Sequence, residues 1–146
     1  MTINKTKTMK MNKIIEQLTQ LNKNTMMEWM GVEYLETGEG YLKVRMPVDH
    51  RTWQPDGILH GGANLALAET VAGIGSAMLV DLERYDVRGA QISANHTGTI
   101  SSGWVYAEGH IIHRGKNTHV WNVDMKNEKG KLLSTCRMTN FIVSKK

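Results

Sequence analysis

The chain has 146 residues, enough for one domain with a substantial core, and its 40% hydrophobic and 22% charged residues are ordinary for a soluble globular protein. The net charge of +4 resides in the N-terminal arm: Lys5, Lys7, Lys10 and Lys13 lie among 13 residues that carry no acid, leaving 14 basic against 14 acidic residues elsewhere. A neutral folded region argues against nucleic acid or a membrane surface as partner. The lone Cys136 excludes a disulfide framework and suits a reducing compartment. With no apolar signal-peptide core at the N-terminus, a cytoplasmic protein is expected. The span 62–80 approaches transmembrane length, but Glu69 within it argues against insertion by roughly 3 kcal/mol.

Residues 1–12 are expected to be a disordered basic arm, and 13–146 a single domain. Ile14, Ile15, Leu18 and Leu21 recur at helical spacing, which predicts an amphipathic helix over about 12–23. Met26, Met27, Trp29 and Met30 form an apolar lead into a strand at 32–37, and Thr37-Gly-Glu-Gly40 turns the chain into a second strand at 40–48. A connector over 49–59 turns at Pro55 and Gly57. From about 61 to 80 the chain reads as one long helix, with ten Gly, Ala or Ser residues between Gly61 and Ala77. Four strands follow near 87–100, 103–114, 118–127 and 131–143. Their breaks carry turn residues, as in Arg114-Gly-Lys-Asn117 and Asn127-Glu-Lys-Gly130. The last three strands should form an antiparallel meander. About six strands and one long helix of small residues predict an α+β domain, with the sheet curled around the helix.

Several chemistries fail on spacing. His60 and Glu69 are nine residues apart, so steps of about 100° put them on opposite helix faces. His110 and His113 alternate across a strand, and no metal site is expected. There is no Gly-x-Ser-x-Gly elbow and no phosphate loop, and Cys136 reads as a buried, inert thiol. What remains is the glycine pair and the acid. The N–H of Gly61, at a helix N-terminus, can polarise a carbonyl and hold its developing oxyanion. Glu69 can act as nucleophile or as general base on water. Its bland alternative is a buried carboxylate bonded to backbone or to a neighbour. Eight residues separate the two, about 12 Å along the axis, too far for one carbonyl. Two antiparallel helices would bring Glu69 of one subunit to Gly61 of another, which predicts a homodimer with shared sites.

The run Gln54-Pro-Asp-Gly-Ile-Leu-His-Gly-Gly-Ala63, followed after five residues by Glu69, closely resembles the signature of hotdog-fold acyl-coenzyme A thioesterases. The branch indicated includes the 1,4-dihydroxy-2-naphthoyl-CoA and 4-hydroxybenzoyl-CoA thioesterases, with phenylacetate-pathway enzymes as cousins. The similarity runs from about Glu33 to Val143. It takes in Ile92-Ser-Ala-Asn-His96, the segment from His119 to Met125, and Glu128-Lys-Gly-Lys-Leu132. The resemblance implies a hotdog fold and hydrolysis of an acyl-CoA, first of all an aryl one. It makes Glu69 the catalytic carboxylate and Gly61 N–H the carbonyl's partner. Gln54 would sit beside the thioester and help orient it, and His60 would shape the same site from the turn. His96, Arg114, Gly115, Lys116 and Asn117 would meet the phosphates of coenzyme A, an ordinary polar hairpin being the alternative for all five. It further implies a homodimer with sites at the interface, pairing into a homotetramer, and no cofactor. One departure stands out: relatives carry Ser or Thr one turn after the acid, where this chain has Gly73. Small helix residues, with apolar groups near Trp53, Val71 and Ile74, are expected to line the acyl pocket. Two rivals are an acyl-CoA-binding module without turnover and a dehydratase acting on carrier-protein substrates, the latter disfavoured by the Gln54-to-Glu69 register.

Overall fold

The computed structural model describes residues 2–146, and their side chains from residue 7 onward. Its elements are α1 (Thr2–Leu21), α2 (Met26–Trp29), β1 (Glu33–Gly38), β2 (Tyr41–Pro47), α3 (Gly61–Ala77), β3 (Tyr85–His96), β4 (Trp104–Arg114), β5 (Thr118–Lys126) and β6 (Leu132–Ser144). The arm expected to be disordered over residues 1–12 is helical from Thr2; Met1 lies outside the described residues. Tertiary packing accounts for this difference. Leu18 is buried and Ile14 and Ile15 pack on the core, so the apolar stripe anchors a helix that its lysines alone would not hold. Beyond its end, Asn22 donates to Val32 O at 3.2 Å and accepts from the Tyr34 hydroxyl at 2.9 Å. The apolar lead at Met26 is itself one turn of helix, capped by the Thr25 hydroxyl.

The six strands form one sheet in the order β1-β2-β4-β5-β6-β3, every pairing antiparallel. The β4-β5-β6 meander is present as expected. β3, which precedes it in the chain, crosses to the far edge and pairs with β6 from Tyr85–Ser144 to His96–Ser134. Its other edge has no partner strand among the described residues, and most of its side chains are exposed.

The sheet packs on α3 through bare backbone. A Cβ on Gly75 would lie 2.4 Å from the Trp121 ring, and one on Gly109 would lie 2.4 Å from Val71 Cγ1. Trp121, fully buried, therefore brings its ring edge onto the helix, and its Nε1 donates to Ser76 Oγ at 2.8 Å. Asn140 Nδ2 joins that hydroxyl and also donates to Ala72 O. This is the α+β hotdog arrangement, with α3 as its axis.

His119, on β5 opposite Asn140, is also buried, and its Nδ1 meets no partner among the described residues. Burial, helped by the charges of Arg114 and His113, pushes its pKa below the usual value of about 6.5. The unfolded chain then binds the proton more readily, so stability rises with pH. His119's contribution is complete above about pH 6.5 and is lost as pH falls from there toward its depressed folded value. Thermal unfolding at pH 7.5 and 5.5 should show an acid-side loss for the wild type and a smaller one for His119→Gln. An equal loss in both would remove His119 as its cause.

Candidate active site

Three local structures converge on the N-terminus of α3. The connector closes a small loop at the bridge between Trp53 and Leu59, with Gly57 at φ +74° in the turn after Pro55 and Asp56. His60 then caps the helix: its Nδ1 accepts from Gly62 N at 2.8 Å. That leaves the N–H of Gly61 without an acceptor among the described residues. Gln54 is folded onto its own turn, Oε1 accepting from Asp56 N at 3.0 Å and Nε2 donating to Asp56 Oδ2 at 3.2 Å. Arg51 secures the connector with both Asp49 oxygens and the Trp29 carbonyl. These bonds hold the Asp49 carboxyl down to about 2.

His96 also reaches this point. A Cβ on Gly61 would lie 2.6 Å from His96 Nε2, so the ring stands over the glycine. It is held there by Ser134, whose Oγ is 3.0 Å from Nδ1. Sequence reasoning grouped His96 with Arg114, Gly115, Lys116 and Asn117, but the structure separates them. His96 pairs with Ser134 and the β4–β5 hairpin lies beside Phe141, seven residues along β6, roughly 23 Å away. Arg114 there donates to Glu39 Oε1 and to Leu79 O, both at 3.0 Å. Gly115 N closes the hairpin on Thr118 O, Lys116 is exposed, and the Asn117 carbonyl accepts from Ile142 N.

Glu69 lies two turns along α3, on the face it shares with Ala66, Gly73 and Ala77. Its carboxylate is exposed and makes no hydrogen bond or ion pair among the described residues, so it is not the buried, bonded carboxylate of the bland alternative. It faces an open cleft of about 620 Å³ walled by Met26, Leu82 and Gly89. Gly89 went unnoticed in the sequence. A Cβ there would lie 2.7 Å from Glu69 Oε1, at a bulge between Gly89 and Gln91 that bends β3 around the acid. A glycine inside a strand pattern is the signal that could have found it. At Gly73 a Cβ would meet nothing within 4 Å, so the missing side chain leaves free space beside Glu69.

The expected acyl wall needs correction. Val71 is fully buried against Gly109 and Ile74 packs on the core, because two and five residues from Glu69 turn the side chain toward the sheet. Trp53 is exposed, with its Nε1 on Ser101 O, and is not among the residues lining this cleft. Among the described residues no group of three or more His, Cys, Asp or Glu could hold a metal ion. Among the same residues no helix is long and apolar enough to cross a membrane.

A second cleft, of about 380 Å³, lies between α1 and the C-terminal end of α3. It holds no carboxylate other than Glu39, which pairs with Arg114. The reactive groups belong to the Glu69 cleft and the Gly61–His96 corner.

Comparison with known proteins places this chain among thioesterases. The sequence profile of the thioesterase superfamily matches residues 56–134. The proofreading thioesterase EntH of Klebsiella pneumoniae is 38% identical over 121 residues, covering 83% of this chain and 88% of that protein. A thioesterase crystal structure from Haemophilus influenzae is 38% identical, covers 89% of this chain and 90% of its own, and superposes with a TM-score of 0.85. A mutant thioesterase from Pseudomonas aeruginosa is 36% identical, covers 90% and 94%, and superposes at 0.88.

Proposed function

This chain belongs to the thioesterase superfamily and is a thioester hydrolase, and from that premise we propose that it cleaves acyl-CoA, an aryl acyl group first, in sites shared by two subunits. The observation that carries the reading is the unpaired Glu69 carboxylate, on the same helix whose Gly61 offers a free N–H about 12 Å away. One chain cannot bring both to one carbonyl. Two α3 helices packed antiparallel bring Glu69 of one to Gly61 of the other. The unpartnered edge of β3 beside Glu69 supports a second copy on that face. Leu79, which accepts from Arg114, lies about 15 Å past Glu69. The β4–β5 hairpin of one subunit is thereby directed toward the partner's Gly61 end, where Arg114 to Asn117 can meet the phosphates of coenzyme A.

In the proposed reaction the thioester oxygen lies against Gly61 N–H, which stabilises the negative charge that develops there. Glu69 either takes a proton from water as the hydroxyl adds to the carbonyl carbon, or attacks that carbon itself and is released by water. In both routes the C–S bond breaks, the acid departs and the sulfur leaves as the thiol of CoA. Gln54 orients the thioester once freed from Asp56, and His60 acts through the helix cap. The space over Gly73 accepts the acyl group, between Met26 and Leu82.

The test is thiol release from benzoyl-, hydroxybenzoyl-, dihydroxynaphthoyl-, phenylacetyl-, hexanoyl- and palmitoyl-CoA. Turnover should be greatest with an aryl ester. Saturable binding of the esters without thiol release would instead make the chain a binding module.

A further inference from the structure

The proton of the His96 ring can be placed by following its hydrogen bonds inward. Ser134 is fully buried, and its Oγ has two neighbours among the described residues: His96 Nδ1 at 3.0 Å and Cys136 Sγ at 3.8 Å. Cys136 is itself almost wholly buried, and burial pushes its thiol up, so the sulfur keeps its proton. Between Sγ and the Ser134 oxygen either atom can donate; with the protonated thiol donating, the hydroxyl has its own proton left to give. Its remaining neighbour is His96 Nδ1. A ring accepting at Nδ1 carries its proton on Nε2, the atom that stands over Gly61.

We propose that Ser134 is a positioning residue: its hydroxyl, backed by Cys136, fixes His96 as the Nε2–H tautomer, so that Nε2–H and the Gly61 N–H form a pair of donors for the substrate carbonyl. The role rests on the thioesterase reading of the Gly61 corner, but the tautomer does not. Ser134 touches no substrate, and neither does Cys136. Their work is to keep the ring upright and its outward nitrogen protonated, so that the donor is in place before charge develops. The β3–β6 register makes the arrangement rigid, because His96 and Ser134 are direct cross-strand partners.

The experiment has an arm that needs no turnover. Nitrogen-15 NMR of the wild type should report His96 as the Nε2–H tautomer at neutral pH, and Ser134→Ala should give a mixture of the two tautomers. Ser134→Cys, close in volume but a weak donor, is the second variant if the alanine protein is poorly folded. On the reactive ester, Ser134→Ala should lower kcat about tenfold with little change in KM, the signature of an interaction made in the transition state. In a His96→Ala background the same change should cost nothing further. An Nδ1–H tautomer in the wild type, or multiplicative losses in the double variant, would overturn the proposal. A wild type inert toward every ester but with the Nε2–H tautomer lost in Ser134→Ala would keep the relay and reject the thioesterase reading.

Discussion

Replacing Glu69 with glutamine is expected to remove nearly all turnover, by about 10²- to 10⁴-fold in kcat, with no loss of thermal stability. The two halves of this prediction have separate causes. Glutamine keeps the shape of the side chain, but it can neither take a proton from water nor attack a carbonyl at neutral pH. Stability is spared because the carboxylate has no hydrogen bond or ion pair among the described residues that the exchange would break. Thiol-release kinetics and a melting curve, run side by side, check both halves. Retained turnover would exclude Glu69 as nucleophile and as base alike.

The largest effect on stability is expected at Trp121. Truncation to alanine should cost about 3–5 kcal/mol, which for a domain of this size is a fall in Tm of roughly 10 °C or more. The ring is fully buried and fills the space that Gly75 and Gly109 leave between helix and sheet. Those glycines have no side chains with which to collapse into the void. The indole N–H is a smaller part of the effect. Trp121→Phe keeps most of the ring but takes one donor from Ser76, which still accepts from Asn140, so a loss of about 1 kcal/mol is expected. Melting at a fixed protein concentration separates these values from any effect of dimer dissociation. Equal losses for the two variants would mean that the hydrogen bond, not the packing, holds α3 on the sheet.

Much of the fold was legible because local signals agreed. Turn residues at Gly38 to Gly40, Arg114 to Asn117 and Asn127 to Gly130 bound the strands, and the small residues of α3 announced a close approach that Gly75 makes on Trp121. The place of β3 was not legible, because its pairing with β6 joins residues 38 to 59 apart and no turn specifies it. Nor was the helical reach of α1, which depends on packing that a lysine-rich sequence does not display. At the site, the free N–H of Gly61 and the helical spacing to Glu69 could be derived from the chain alone. The company of His96 could not, since only the β3–β6 register carries it to Gly61 and away from Arg114. The assignment of Val71 and Ile74 to an acyl pocket failed on helical phase, which a count of residues from Glu69 would have corrected.

The shared site is the central claim, and subunit mixing tests it most directly. Glu69→Gln and Gly61→Val, the latter placing a side chain where His96 Nε2 stands, should each be inactive alone. A mixed dimer of the two has one site carrying both changes and one carrying neither. After random exchange about half of the dimers are mixed, so activity should recover to about a quarter of the wild-type level. No recovery, with mixed dimers shown to form, would place Glu69 and Gly61 of the same chain in one site and contradict the account.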